Sequence, residues 1–283
     1  MPARGGPCLD CVAPSTPKTQ PMLTNEELQR VLQQRQQLRT EVSPEEWAAR
    51  VELAACYRLI AHFRMTDWIY NHISSRVPGS HEHYLINPFG LLYEEVSASN
   101  LVKVDVHGRL AEDVPLEVNP AAFVIHGAIH TARPDVGCVL HTHTAAGVAV
   151  AAQADGLLPI SQHAMRVYGQ IGYHDFEGIA LDNAEQQRLV ADMGSNNVLI
   201  LRNHGLLTAG RTVPEAFELM FYLERACQIQ IAATSGPQKL VFPSAEVQSR
   251  AIAQFADSPS YIQGRDWLAL IRLLDRIDPS YRS

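Results

Sequence analysis

Two short histidine-bearing runs stand out in this 283-residue chain: Leu140-His141-Thr142-His143-Thr144 and Arg202-Asn203-His204-Gly205. Each closes an apolar stretch, GCVLH and NVLIL, of the kind that forms a buried strand. Residues two apart on a strand point to the same side, so His141 and His143 can present two imidazoles in one direction. With His204 they would make a three-nitrogen site with open coordination positions. That is the arrangement from which a metal polarises a carbonyl or activates water. Spacing alone leaves a second reading open. Histidines also pack as satisfied core groups, and Asn203 and Gly205 suit an ordinary turn. His126 and His130 lie four apart and share a helix face. His163 and His174 fall in loop-like stretches and read as exposed, and His62, His72, His81 and His83 form no visible constellation.

The elements that must position these groups can be read from local signals. Thr24 to Thr40 is polar and rich in helix formers, which suits a surface or subunit-contacting helix. Ser43, Pro44 and Glu46 make a capping-box start for a helix reaching Phe63. Residues 69–76 and 83–87 read as short strands separated by turns, with a further hairpin-like stretch from Leu101 to Val106. Asn119-Pro120 opens a helix running to about Thr131. Thr144 starts an alanine-rich helix, and Thr212 with Glu215 starts a long one. Hairpins alternating with helices, and no room for crossovers between 69 and 111, predict an α/β domain with a mixed, mainly antiparallel sheet.

Composition narrows the class. The chain is 46% hydrophobic with a net charge of -7, enough for a sizeable core and without the clustered basic face of a nucleic-acid binder. No apolar run reaches the roughly 18 residues that span a bilayer, and no signal core opens the chain, so no membrane partner is expected and the cytoplasm is the default. The five cysteines are odd in number. Cys56, Cys138 and Cys227 read as buried small hydrophobes, and Cys8 and Cys11 as a lone pair in a Pro/Gly-rich leader. Residues 1–22 read as a disordered leader and 23–283 as one domain.

Six segments together carry a resemblance: NHISSRVPG, INPFGLLYEEV, VNPAAFVIHGAIHTARPDVGCVLHTHT, LLPIS, YHDFEG and NVLILRNHGLLTAG. In this order and spacing, from about residue 44 to 235, the chain resembles the class II aldolase/adducin family. It looks closest to the adducin head domain and its bacterial counterparts. The resemblance implies a three-layer α/β/α domain, a homotetramer with sites between subunits, and a divalent metal held by His141, His143 and His204. Zinc is the expected ion, with iron(II) or manganese(II) as alternatives. The metal would stabilise an enediolate oxyanion of a small-molecule substrate. Asn71 and Gly90 match substrate-binding positions.

The chain also departs from the sugar-phosphate aldolases it resembles. Pro120-Ala121-Ala122 stands where they carry Ser-Ser-Glu, and Phe89 precedes Gly90 in place of a hydroxyl residue. Ala122 cannot ligate a metal or move a proton. His126, one helical turn further on, is the expected substitute ligand or base. The resulting expectation is a lyase, aldolase or decarboxylase-like, for a non-phosphorylated carbonyl or hydroxy acid. The alternatives are an iron-dependent oxygenase on the same fold and a non-catalytic, adducin-like oligomeric binding protein with a retained metal site.

Overall fold

The computed structural model describes residues 23–178, 183–256 and 264–283. Residues 1–22, expected to be a disordered leader and carrying Cys8 and Cys11, lie outside the described residues. Among the described residues seven strands form one sheet: β1 (His72–Arg76), β2 (His83–Ile86), β3 (Val102–Asp105), β4 (Cys138–Thr142), β5 (Ile171–His174), β6 (Val198–Leu201) and β7 (Gly205–Gly210). Their order is β3-β2-β1-β4-β7-β6-β5. All neighbours run antiparallel except β5 and β6, which are parallel. The α/β class and the mixed, mainly antiparallel sheet are therefore as expected.

Strand alternation shows how the sheet is covered. Ile73, Leu140, Leu206, Val198 and Ile200 join one apolar cluster with Leu53, Leu59, Phe217 and Met220. Their sequence neighbours Val139, Leu207, Ala209, Leu199 and Leu201 join another with Ile125, Ile129, Leu189 and Met193. Period-two alternation into two separate clusters means that both faces are buried. The first face is covered by helices Pro44–His62 and Val213–Thr234, the second by the segment from Pro120 to Ala132 and by helix Asn183–Met193.

The predicted N-caps are in place, although the reciprocal half of the capping box is not, since Glu46 turns its carboxylate to Arg50 and Lys103 and Glu215 to Arg211. Ser43 accepts from Glu46 N–H and Thr212 from Glu215 N–H, each satisfying a helix-start donor that has no intrahelical partner. Thr144 does the same for Gly147, starting helix Ala145–Ala151 directly after the H-x-H run. Two expectations are corrected. The first strand begins at His72, not Ile69, because Trp68 takes the left-handed conformation at φ 49°. The helix from Pro120 is interrupted: a π-helical turn over Phe123–Gly127 separates Pro120–Ala122 from Ala128–Ala132. No helix among the described residues is long and apolar enough to cross a membrane.

Candidate metal centre

His141 is the penultimate residue of β4, His143 stands one residue past the strand end, and His204 lies in the turn between β6 and β7. β4 and β7 are paired, with His141 opposite Leu207 and Thr142 opposite Leu206, so that turn sits beside the end of β4. Two backbone features make the approach possible. Asn203 adopts φ 56°, a left-handed conformation that asparagine tolerates. Gly205 has no room for a side chain: an added Cβ would lie 2.4 Å from the Thr142 carbonyl oxygen and 3.1 Å from the His143 ring.

The three rings converge. Their candidate ligand atoms all lie within 4.8 Å of one another. His141 Nε2 is 2.8 Å from His143 Nε2, which is 3.0 Å from His204 Nε2. The opposite nitrogens fix the tautomers. His141 Nδ1 is 2.9 Å from the Leu206 carbonyl oxygen, and His143 Nδ1 is 3.0 Å from Asp67 Oδ2. Both oxygens only accept, so both Nδ1 atoms carry a proton, and in the neutral form that ligates a metal each Nε2 presents a lone pair. Two lone pairs at that separation have no proton between them, and a shared cation is what relieves the repulsion. Carbonyl and carboxylate partners behind the rings are the usual supports of metal-ligating histidines. The donor set therefore fits a divalent ion.

The protonation states agree. Burial, with the neighbouring His143, His204 and His72, pushes the His141 imidazole well below its ordinary value. Burial, with His143 and His174, takes His204 down to about 4. Both rings are neutral near pH 7, the form that donates a lone pair.

The other expected residues fall around this centre in different ways. His126 does not join the triad. It is fully buried, with Nε2 2.7 Å from His72 Nδ1 and Nδ1 2.7 Å from Ser74 Oγ. Ala122 is buried in an apolar cluster with Ile86 and Leu116. Asn71 immediately precedes His72, and its side-chain amide is buried with neither atom partnered. Gly90 adopts φ 98° with open space where a Cβ would be. Phe89 beside it is partly exposed and faces Tyr70 at 6.5 Å between ring centroids.

Sequence reasoning missed three participants and misplaced one. His72 lies beside His141 across the β1–β4 pairing, with ring centroids 5.6 Å apart. Ser74 and Asp67 also gave no signal, because what joins them to the site is strand register and a loop contact, not spacing. His174, expected in an exposed loop, is buried on β5. Its Nδ1 is 2.7 Å from Asp192, and Glu185 lies 3.6 Å from its Nε2. His130 is buried too.

Comparison with known proteins gives the family. The model for the class II aldolase and adducin N-terminal domain matches residues 51–231. A putative aldolase class 2 protein of Pseudomonas aeruginosa is 49% identical over 249 residues, covering 87% of this chain and 96% of that one. Rat alpha-adducin is 43% identical over 243 residues, covering 81% of this chain but only 33% of the adducin. Among solved structures, an aldolase II superfamily protein from Pseudomonas syringae superposes with a TM-score of 0.82 at 54% identity, covering 87% of this chain and 99% of that one. L-fuculose 1-phosphate aldolase from Glaciozyma antarctica shares the fold, with a TM-score of 0.72 at 24% identity and 84% and 93% coverage. By sequence and by architecture, this chain is a member of the class II aldolase and adducin N-terminal domain family.

Proposed function

We propose that this chain is a metal-dependent lyase, aldolase or decarboxylase-like, acting on a small non-phosphorylated carbonyl compound or hydroxy acid. The observation that carries the proposal is the convergence of two bare Nε2 lone pairs and a third imidazole on one point. Zinc is the first choice of ion and iron(II) or manganese(II) the next. A divalent ion held by His141, His143 and His204 would act as a Lewis acid towards a substrate oxygen.

The chain's own residues define the rest. Asp67 and the Leu206 carbonyl hold two ligand rings in register. The unpartnered Asn71 amide offers a substrate one donor group and one acceptor. A side chain added at Gly90 would meet no atom within 4 Å, so the backbone there is open. Preference for a non-phosphorylated substrate is supported by Pro120, Ala122 and Phe89, none of which brings a side-chain donor or a charge. His126 lies behind His72 and Ser74, both hydrogen-bonded to its ring, so it would meet a substrate only through other side chains.

We further propose a homo-oligomer, a tetramer by family resemblance. Trp68 and Tyr70 are 76% and 51% exposed and follow Asp67 directly, an apolar surface that a second subunit would cover. The buried thiols of Cys56, Cys138 and Cys227 suit a reducing cytoplasm.

The 43% identity to alpha-adducin favours a second reading, a non-catalytic oligomeric platform. One experiment separates the two. The purified protein is stripped by mild chelation, reloaded with zinc, iron(II) or manganese(II), and assayed for cleavage or decarboxylation of short hydroxy and keto acids. The lyase reading expects stoichiometric metal and turnover that His141→Ala abolishes. Failure to retain any metal, with no turnover across the panel, leaves the platform reading.

A further inference from the structure

One more imidazole nitrogen is left over close to the triad, at the end of β5. The parallel pairing with β6 sets His174 level with Leu201, three residues before His204, and His174 and His204 line one narrow cavity. Helix Asn183–Met193 packs against β5. Glu185 and Asp192 are seven apart on it, two turns along one face, and they approach the His174 ring from its two nitrogens. His174 is 3% exposed and Glu185 6%. The nearby cations are engaged elsewhere. Arg202 gives Nη1 to the Gln153 carbonyl at 2.6 Å and lies over the Tyr173 ring, and Arg188 is paired with Glu177. Among the described residues His174 is the only ion-pair partner of Glu185.

Asp192 Oδ2 is 2.7 Å from His174 Nδ1, and a carboxylate only accepts, so Nδ1 holds a proton. Nε2 is buried with no hydrogen bond, and Glu185 Oε1 stands 3.6 Å from it. That distance decides between the ways of joining the two. A direct hydrogen bond would bring them to about 2.7–3.2 Å. A water bonded to both at about 2.8 Å, with a tetrahedral angle, would hold them about 4.5 Å apart. Two ligands of one tetrahedral zinc, each bonded at about 2.0–2.2 Å, lie about 3.3–3.5 Å apart. The observed gap comes closest to the last. Asp192 behind the ring is the carboxylate support that metal-ligating histidines carry. Two carboxylates on one buried ring also leave negative charge that a dication cancels. The cavity has room for about one water-sized particle.

We propose that His174 Nε2 and the Glu185 carboxylate hold a divalent cation of the zinc or manganese class, which pins helix Asn183–Met193 to β5 beside the triad. One imidazole and one carboxylate select such ions over magnesium and calcium, which prefer oxygen alone. No third side chain among the described residues completes the set within ligand reach, so water fills the other positions. Asp192 is a positioning residue, holding the ring with Nε2 turned to the ion. The site shares no ligand with the triad and does not depend on the lyase reading.

The test counts zinc bound per chain by equilibrium dialysis of the full protein. The wild type should hold two ions, and Glu185→Gln and His174→Gln one each. His141→Ala should also keep one, and its combination with Glu185→Gln none. Asp192→Asn changes a side chain that is 43% exposed, so the fold survives it, and it should weaken the second ion about 10–100-fold with the first unchanged. One ion in the wild type that survives Glu185→Gln and is lost in His141→Ala overturns the proposal. So does a second ion that none of the Glu185, His174 and Asp192 variants weakens, and so does a chain that takes up none. If the single ion of the wild type is lost in Glu185→Gln but kept in His141→Ala, this site stands and the triad fails as a metal centre. Should the two buried variants not fold, Asp192→Asn decides by the same readings.

Discussion

Two of the buried polar groups in this chain meet burial in opposite ways. Around helix Pro44–His62, Arg50 is fully enclosed and every guanidinium nitrogen is used: Nε and Nη2 on Glu46, Nη2 also on Glu112, and Nη1 on the Leu101 carbonyl. Arg35 and Lys103 complete the knot on Glu112 and Glu46, both at 2.7 Å. Across the sheet, burial keeps the rings of His72, His126 and His141 neutral, and atoms are left for a ligand, namely the converging nitrogens of the triad and the Asn71 amide. A closed ionic network has no capacity left for a ligand. A neutral network with spare atoms has that capacity, and this is why chemistry is assigned to the second region and architecture to the first.

The largest effect should come from opening the closed network. Arg50→Ala leaves Glu46 and Glu112 without their buried partner and is expected to cost about 3–5 kcal/mol in urea unfolding, with zinc uptake intact in the fraction that stays folded. A loss below about 1 kcal/mol would place this knot with ordinary surface pairs.

Acid should attack the histidine region first. For His72 and His130 the folded value is depressed to about 3 while the unfolded rings titrate near 6.5. Below 6.5 the unfolded chain binds protons that the folded chain refuses, so stability is full above 6.5 and falls as pH drops towards 3. Glu112 loses stability in the same direction but in a more acidic window. Burial alone would raise it, but Arg35 and Arg50 outweigh burial and hold it below the usual carboxylate value. The metal-free protein should therefore show a urea midpoint that declines steadily from pH 7 to pH 5, before the carboxylates titrate. A flat midpoint over that interval would contradict the buried, neutral histidines.

Asp67→Ala sharpens the contrast from the other side. It removes the acceptor behind His143 and should weaken zinc binding about 10–100-fold in a chelator competition, while the unfolding midpoint of the metal-free chain barely moves. Unchanged zinc affinity would mean that Asp67 does not orient the ring. The smallest effect belongs to a site in neither region. Thr212→Ala should cost about 1 kcal/mol by removing the N-cap of helix Val213–Thr234, measured by thermal unfolding, with no change in metal.

These regions were not equally legible. Ser43, Thr144 and Thr212 announce helix starts because a cap is a local event, written within four residues. The H-x-H run and His204 were visible because strand ends are marked by where apolar runs stop. β5 was missed: Ile171-Gly172-Tyr173-His174 is short and lacks an apolar run, and it becomes a strand only because β6 offers a parallel edge. His174 was misplaced for the same reason. The hydrogen-bonded histidine group behind the triad could not be read at all. It depends on the register that sets His72 against His141, and on a helical irregularity that no periodicity predicts.

That irregularity has a consequence of its own. A π-helical turn accommodates one residue more than the α-helix it interrupts, and such turns recur at functional sites. Deleting a single residue between Phe123 and Gly127 would let the segment wind evenly, and would swing everything upstream of His130 by about 100° around the axis. The inner layer of this protein is thus more vulnerable to a change in length than to a substitution. Chains that keep both histidines but lack the extra residue would have lost the geometry while retaining its letters.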